Sequence, residues 1–337
     1  MLVTKQKTLR KFWYATVRMD ALDKGPVPFR LLGEDIVLFK TADGSPAALL
    51  DRCCHRSAKL SKGWVSEGNI VCGYHGWVYD GSGKVIDVPQ LPVDVEKPNY
   101  STPKFHAKDR YGYVWVALDD PIADIPPVPE DTDPGFRRIF QFYDTWNTSS
   151  IRLMENSFDN AHFSFVHKAT FGQVNQPKPE KYEINETDYG FEAETIIPIL
   201  NPARAHRITG TTEPTTKRHM RNKWYMPFCR RLDIEYPSGL RHIIINSATP
   251  IDDGSIQLVQ LLFRNDTEAD CSTEELIAWD KEIITEDREI LESTDPSPVI
   301  DMSKRTEAHM PSDRPGMIMR KRLTALFEAQ GEMEAVG

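Results

Sequence analysis

The sequence has no apolar run long enough to cross a bilayer, and its first residues, Met1-Leu-Val-Thr-Lys-Gln-Lys, lack the apolar core of a secretion signal. A cytoplasmic protein is the expectation. Positive charge is short as well: 41 Lys and Arg against 50 Asp and Glu leave a formal charge of −9. Neither nucleic acid nor an anionic membrane attracts such a surface, so neither is an expected partner. There is no G-x-G-x-x-G loop, hence no legible nucleotide site, and any electrons must come from another protein. Internal repeats are missing too. Five cysteines in 337 residues are too few and too unevenly spaced for a disulfide framework. Yet three of the five lie at 53, 54 and 72, and that clustering asks for a chemical reason.

What is present is room for two domains, with the 27% charged content of a globular chain. Short β-runs at 35–40 and 46–50 flank an Asp43-Gly44 turn and predict a hairpin. Then come Cys53-Cys54-His55-Arg56 and Cys72-Gly73-Tyr74-His75-Gly76-Trp77, each a cysteine followed by a histidine, the second bracketed by strands. Two β-loops that each present one thiolate and one imidazole fit a [2Fe–2S] cluster in which cysteines hold one iron and histidines the other. A zinc knuckle spaces its first pair by roughly two to four residues, whereas Cys53 and His55 enclose only Cys54. Cys54 falls on the opposite face of any extended segment holding Cys53 and His55, and reads as a structural bystander.

A second constellation runs from Ile151 to His167. At about 100° per residue, Ile151, Met154, Phe158 and His162 share one helical stripe, with Glu155 and Asp159 beside it. A lone inward histidine is ordinarily a hydrogen-bonded core residue. His167 at i+5 and Asp159 at i−3 change that reading, provided the helix ends or bulges between the two histidines so that their rings converge. Two histidines and an acid suggest iron or zinc, although the spacing is not H-E-x-x-H. A third, carboxylate ligand is then required. Ser272-Thr-Glu-Glu275 is a capping box that opens a long helix with Leu276, Trp279, Ile283, Ile290 and Leu291 as its buried stripe. Asp280 and Asp287 both project near that face, and residue chemistry alone leaves the choice between them open. Trp279 suits either the core or a substrate pocket. Around the first cysteine loop, Arg52, Arg56, Lys59 and Lys62 form either a solvated loop or a basic patch that docks an acidic ferredoxin.

Residues 111–118 alternate like a closing strand, 119–135 are proline-rich and acidic, and 181–263 read as strands at 191–199, 223–228, 242–248 and 256–263. A closing helix is expected over 311–327.

Cys53-x-His55 with Cys72-x-x-His75-Gly76-Trp77 is similar to the Rieske [2Fe–2S] pattern. Downstream, Asn156-x-x-Asp159-x-x-His162-x4-His167 resembles the mononuclear-iron motif of Rieske non-haem iron oxygenases. The order and separation of both motifs match that family over essentially the whole chain. The extra cysteine pair of the respiratory type has no counterpart here. The phrase Asp51-Arg-Cys-Cys-His-Arg and the modest length resemble the short monooxygenase branch of dicamba monooxygenase, vanillate O-demethylase, caffeine N-demethylases and saxitoxin-pathway hydroxylases.

The resemblance implies an α+β protein: an N-terminal all-β Rieske domain over 1–118, a linker over 119–135, and a helix-grip catalytic domain with an antiparallel sheet over 136–337. It implies that Cys53, His55, Cys72 and His75 hold a [2Fe–2S] cluster. Glu286-Asp287 followed by Arg-Glu-Ile-Leu-Glu resembles the family's third-ligand motif, so Asp287 joins His162 and His167 around Fe(II), with Asn156 in a supporting role. Subunits would form a homotrimeric ring in which Asp159 links His75 of a neighbouring subunit to His162. With O2 and electrons from an external ferredoxin or reductase, one oxygen atom would enter a C–H bond of a small molecule. Hydroxylation of a nitrogen-rich alkaloid in natural-product biosynthesis is the first expectation, and oxidative O- or N-demethylation of a small ring compound is the alternative. Two other classes compete: a Rieske electron carrier without oxygenase activity, and a catalytically silent member of the fold.

Overall fold

The computed structural model describes every residue except Val93, Asp94, Glu96, Lys97 and Pro98. The chain divides into two compact units, Lys7–Ile125 and Met1–Gln6 with Pro126–Gly337. The division thus falls inside the stretch expected as a linker. The first six residues belong to the second unit, where Thr4 bonds Asp253 and the Leu2 amide donates to the Ala335 carbonyl, 2.7 Å.

The first unit contains β1 (Tyr14–Arg18), β2 (Val27–Leu31), β3 (Glu34–Lys40), β4 (Pro46–Leu50), β5 (Trp64–Ser66), β6 (Asn69–Val71), β7 (Val78–Tyr79), β8 (Val85–Asp87), β9 (Lys104–Arg110) and β10 (Tyr113–Ala117). Six strands form one antiparallel sheet in the order β1-β10-β9-β4-β3-β2, and β5 to β8 form a smaller meander. The hairpin expected around Asp43-Gly44 is β3–β4, in register from Ile36 opposite Leu50 to Lys40 opposite Pro46. Inward side chains of the two sheets meet in one core, where Val37, Phe39 and Leu49 pack with Ile70, Tyr79 and Val85. The cysteine–histidine loops leave from the edge of this core, one after β4 and one between β6 and β7.

The second unit is built on β11 (Arg137–Trp146), β12 (Glu183–Thr187), β13 (Gly190–Leu200), β14 (Thr215–Tyr225), β15 (Cys229–Glu235), β16 (Arg241–Pro250) and β17 (Ile256–Arg264). Their order, β11-β17-β16-β15-β14-β13-β12, is antiparallel throughout. β17, one strand in from the edge strand β11, is buried along its whole length, as a strand covered on both faces must be. Its helices are α1 (Ser150–Ser157), α2 (Phe163–Val166), α3 (His206–Thr209), α4 (Thr273–Leu291) and α5 (Arg314–Ala329).

Helix α4 opens on the expected capping box: the Ser272 side chain accepts from the Glu275 amide, and Glu275 reaches back to the Ser272 amide. Leu276 and Trp279 then pack on Ile139 of β11 and Leu262 of β17. Of the expected stripe, Leu291 is buried at its end but Ile290 is 50% exposed. On the other face of the sheet Arg231 of β15 donates two 2.8 Å hydrogen bonds to buried Glu130, at a turn before β11. No helix among the described residues is long and apolar enough to cross a membrane.

Candidate functional site

The two loops of the first unit are built alike. The Cys53 carbonyl accepts from the Ser57 amide and the Cys72 carbonyl from the Gly76 amide, 2.9 Å each. The Cys53 and Cys72 amides donate to the carbonyls of Ala58 and Trp77, at 2.8 and 2.9 Å. Ser57 and Gly76, the equivalent residues, both take positive φ, 57° and 75°. Behind the cysteines the two backbones touch: a Cβ on Gly63 would collide with the Val71 carbonyl oxygen and reach the Gly73 amide.

This pairing buries Cys53 and Cys72 and brings the His55 and His75 rings to 4.6 Å between centroids. Trp77 stacks on His55 at 4.6 Å and 3°, fixing that ring, and His55 Nδ1 is buried with no hydrogen-bond partner. A ring nitrogen left bare beside two buried thiols fits a cluster ligand. Burial also pushes the Cys72 thiol up, a cost that ligation would remove.

The reading of Cys54 needs correction. Residues 54–56 form a turn, not an extended segment, so Cys54 is not carried to an opposite face. Its Sγ lies 3.2 Å from the Tyr79 hydroxyl, which also stands 3.0 Å from Cys53 Sγ. A thiolate can only accept, so with Cys53 ligated the hydroxyl donates to it.

In the second unit the histidine segment departs from a single helix. α1 stops at Ser157, and Asp159 Oδ1 then accepts from the Ala161 amide at 2.7 Å, a local turn that replaces helical bonding. The break therefore precedes His162, and short α2 spans the interval between His162 and His167. Their Nε2 atoms face each other at 3.2 Å. Asp287 Oδ1 completes the group, 3.4 Å from His162 Nε2 and 3.3 Å from His167 Nε2. That oxygen is buried without a hydrogen-bond partner. These three are the only group of such ligand atoms, all within 4.8 Å of one another, among the described residues.

Both imidazoles are oriented from behind. Asp159 Oδ2 stands 3.3 Å from His162 Nδ1, and Glu286 Oε2 stands 2.9 Å from His167 Nδ1 and accepts from the Thr170 hydroxyl. Imidazoles held through Nδ1 by carboxylates, with converging Nε2 atoms and a bare carboxylate oxygen, fit a two-histidine, one-carboxylate metal centre. Asn156 lines the same cavity beside Asp287. Sequence reasoning missed Glu286; its signal was the doubled acid Glu286-Asp287, which puts carboxylates on adjacent faces of α4.

Asp280, the rival ligand, is engaged elsewhere. It accepts from His242 Nε2 at 3.1 Å and from Gln141. Arg264 donates to His242 Nδ1 at 2.9 Å, which leaves the imidazole proton on Nε2 facing Asp280. Burial favours neutral His242. Burial also pushes Asp280 up, but His242 and Gln141 outweigh it and keep the carboxylate charged. The chain of amides continues from Gln141 through Gln260 to Asn246, 2.5 Å at each step.

The triad lines one cavity of about 100 Å³ between α4 and the sheet, together with Asp280, His242, Gln260 and Asn246. Phe163, Phe171, Met220, Leu232, Ile244 and Trp279 supply apolar wall. Trp279 thus serves both core and cavity. Apolar walls with a few fixed polar groups beside a metal site suit a small organic molecule.

The comparisons with known proteins agree with this architecture. Residues 12–101 match the Rieske [2Fe-2S] domain, and residues 146–329 match the Vanillate O-demethylase oxygenase C-terminal domain. The chain belongs to the Rieske non-haem iron oxygenases, monooxygenases that pair a [2Fe–2S] cluster with a mononuclear iron and pass electrons to O2 chemistry on small molecules. Among individual proteins, methylxanthine N1-demethylase NdmA of Pseudomonas putida is 29% identical over 339 residues, covering 97% of this chain and 92% of that protein. Methylxanthine N3-demethylase NdmB of the same organism is 27% identical over 95% of this chain and 90% of its own length. The solved structure of Pseudomonas putida CBB5 NdmA superposes with a TM-score of 0.82 at 27% identity, over 98% of this chain and 94% of that one. Dicamba monooxygenase bound to dicamba, at 22% identity and a TM-score of 0.81, shares the fold over 96% of this chain and 98% of its own.

Proposed function

We propose that this chain is the terminal oxygenase of a multicomponent demethylase that removes a methyl group from nitrogen or oxygen on a small ring compound. The observation that carries this reading is the triad of His162, His167 and Asp287 opening on a mainly apolar cavity. The full-length likeness to two N-demethylases favours a methyl target over simple hydroxylation, the reaction first expected. The two share their chemistry and differ in which C–H bond meets the metal.

When bound, the iron supplies dioxygen activation and the cluster supplies electrons. The protein's part is positional. His162, His167 and Asp287 would hold the iron while leaving positions open, and Asp159 and Glu286 fix the ring tautomers through Nδ1. The cavity wall excludes water and presents the methyl group to the triad. In the net reaction the methyl carbon takes one oxygen atom of O2 and leaves as formaldehyde. The other oxygen atom leaves as water, with two electrons and two protons consumed. Those electrons would come from an external ferredoxin or reductase, because the sequence offers no nucleotide loop. Cys53, His55, Cys72 and His75 would receive them at the cluster. In a homotrimer, Asp159 would conduct them from a neighbouring subunit's His75 to His162. A mass of three chains by light scattering supports that assembly, and a monomer overturns it.

The test is turnover of N-methyl and O-methyl ring compounds with a surrogate ferredoxin and reductase under labelled O2. Formaldehyde release with loss of a methylene from the substrate is expected. A product that gains oxygen and keeps its methyl group would replace demethylation with hydroxylation, and the absence of both sinks the proposal.

A further inference from the structure

The cavity wall carries cations that the reading above leaves without a task, Arg218 foremost. Strand β14 alternates strictly, with Thr216, Arg218, Met220, Asn222 and Trp224 turned inward. Arg218 is therefore carried by strand geometry to the cavity wall, where it is 6% exposed. Its Nε, sealed from solvent, has no hydrogen-bond partner, and no ion pair joins its guanidinium to a carboxylate among the described residues. Its neighbours do not compensate it. Asp280 is held by His242 and Gln141, and Asp287 faces the two ligand histidines. Arg264, the other buried cation nearby, is paired with Asp266. What Arg218 has is a ring: its guanidinium lies 4.3 Å from the Phe171 centroid, and Phe171 stacks on His167 at 4.7 Å.

A guanidinium cannot discharge by losing a proton, so burial without a partner is costly unless an anion arrives. A second donor points the same way. Trp146, also on the cavity wall, buries an indole N–H that has no acceptor. Arg230 adds a further cation, hydrogen-bonded through Nε to Asn222 at 2.8 Å and lowered by burial to about 10.

We infer that Arg218 is the specificity-determining residue of this site and binds a carboxylate on the substrate, so that the enzyme takes a small aromatic acid bearing a methyl group. The inference rests on the oxygenase reading above and narrows its substrate class. Contact with the same Phe171 ring sets the scale: the Arg218 guanidinium and the His167 ring lie 4.3 and 4.7 Å from its centroid. That reach suits a single benzene ring carrying its carboxylate at the guanidinium and its methyl-bearing substituent toward the triad. A cationic alkaloid would meet Arg218 and Arg230 with like charge, and a neutral purine would leave Arg218 unpaired.

The test uses holoenzyme with both metal centres loaded, and three probes of one shape: 4-methoxybenzoate, 4-methoxybenzamide and 4-methoxybenzylamine. Calorimetry gives binding without turnover, and formaldehyde release gives turnover separately. The acid should bind about tenfold to a hundredfold more tightly than the amide, and the amine least. In Arg218→Met the acid-to-amide ratio should fall close to one, and Arg218→Lys should restore part of it. If Arg218 merely supports the fold, Arg218→Met lowers thermal stability and leaves the ratio unchanged. Equal affinity for acid and amide in the parent enzyme, no binding of either, or a preference that survives Arg218→Met overturns the inference. Tight, Arg218-dependent binding without formaldehyde or hydroxylated product would instead count against the oxygenase reading alone.

Discussion

Asp280 and Asp287 stand two turns apart on α4, both largely buried, yet their surroundings give them opposite duties. Asp280 accepts from both His242 and Gln141 on Oδ2, which ties it to the sheet, and it stands outside the group of converging ligand atoms. Asp287 faces two imidazole nitrogens with one oxygen bare. Asp287→Ala should therefore drop the iron content from about three to about two per chain, with the cluster's visible absorption intact. Asp159→Asn is expected to behave differently. It should keep about three irons and the cluster spectrum while turnover falls, because its oxygen sits behind His162 and not among the ligand atoms. Loss of iron in that variant would show Asp159 to be structural.

At the level of elements, β15 is held to the turn before β11 by the Arg231–Glu130 pair, both residues under a tenth exposed. Burial pushes the Glu130 carboxyl up, but the bidentate guanidinium outweighs it and holds the group below its usual 4.5. A folded pKa below the unfolded one means stability that is fully present above about 4.5 and lost as pH falls through the folded value. Glu130→Gln should cost about 3 kcal/mol in urea unfolding at neutral pH, and the gap to the parent should close in acid.

The same strands explain what the sequence concealed. α4 was legible because its capping box and apolar stripe agree. The hairpin of β3 and β4 was legible from alternation and its turn. β15 was not, since Arg230, Arg231 and Asp233 look like a solvated loop until Glu130 and the cavity are known to face them. β14 was read only from residue 223, although it starts at Thr215, because Lys217, Arg218 and Arg221 break the apolar alternation. Arg218 was hidden by the feature that gives it meaning, a charge facing inward. The Asp280–His242 pair was equally unreadable, since its partners lie 38 residues apart on a strand and a helix. The histidine segment was extended too far as a helix because the stripe through His162 is real, but Asp159 competes for the backbone.

For the whole molecule, the proposed external carrier must approach a protein of net charge −9. Arg52, Arg56, Lys59 and Lys62 are all exposed around the first cluster loop. Lys59 pairs with Asp35 at 3.4 Å, an exposed contact that a competing anion can displace. Replacing Arg56 and Lys59 together by Glu should slow cluster reduction by an acidic ferredoxin and flatten its salt dependence, read by stopped flow at several ionic strengths. An unchanged rate and slope would remove this face as the docking site.

The contact of Gly63 with Val71 and Gly73 has a consequence for how this protein can change. The halves of the cluster pocket are joined main chain to main chain, so the gap between thiols and imidazoles is insulated from drift in the loops' outward side chains. The outward surface of the loops can be rewritten while the cluster's seat stays put. One methyl at the seam undoes that freedom: Gly63→Ala should spread the loops and bleach the cluster's visible absorption, leaving the second unit folded.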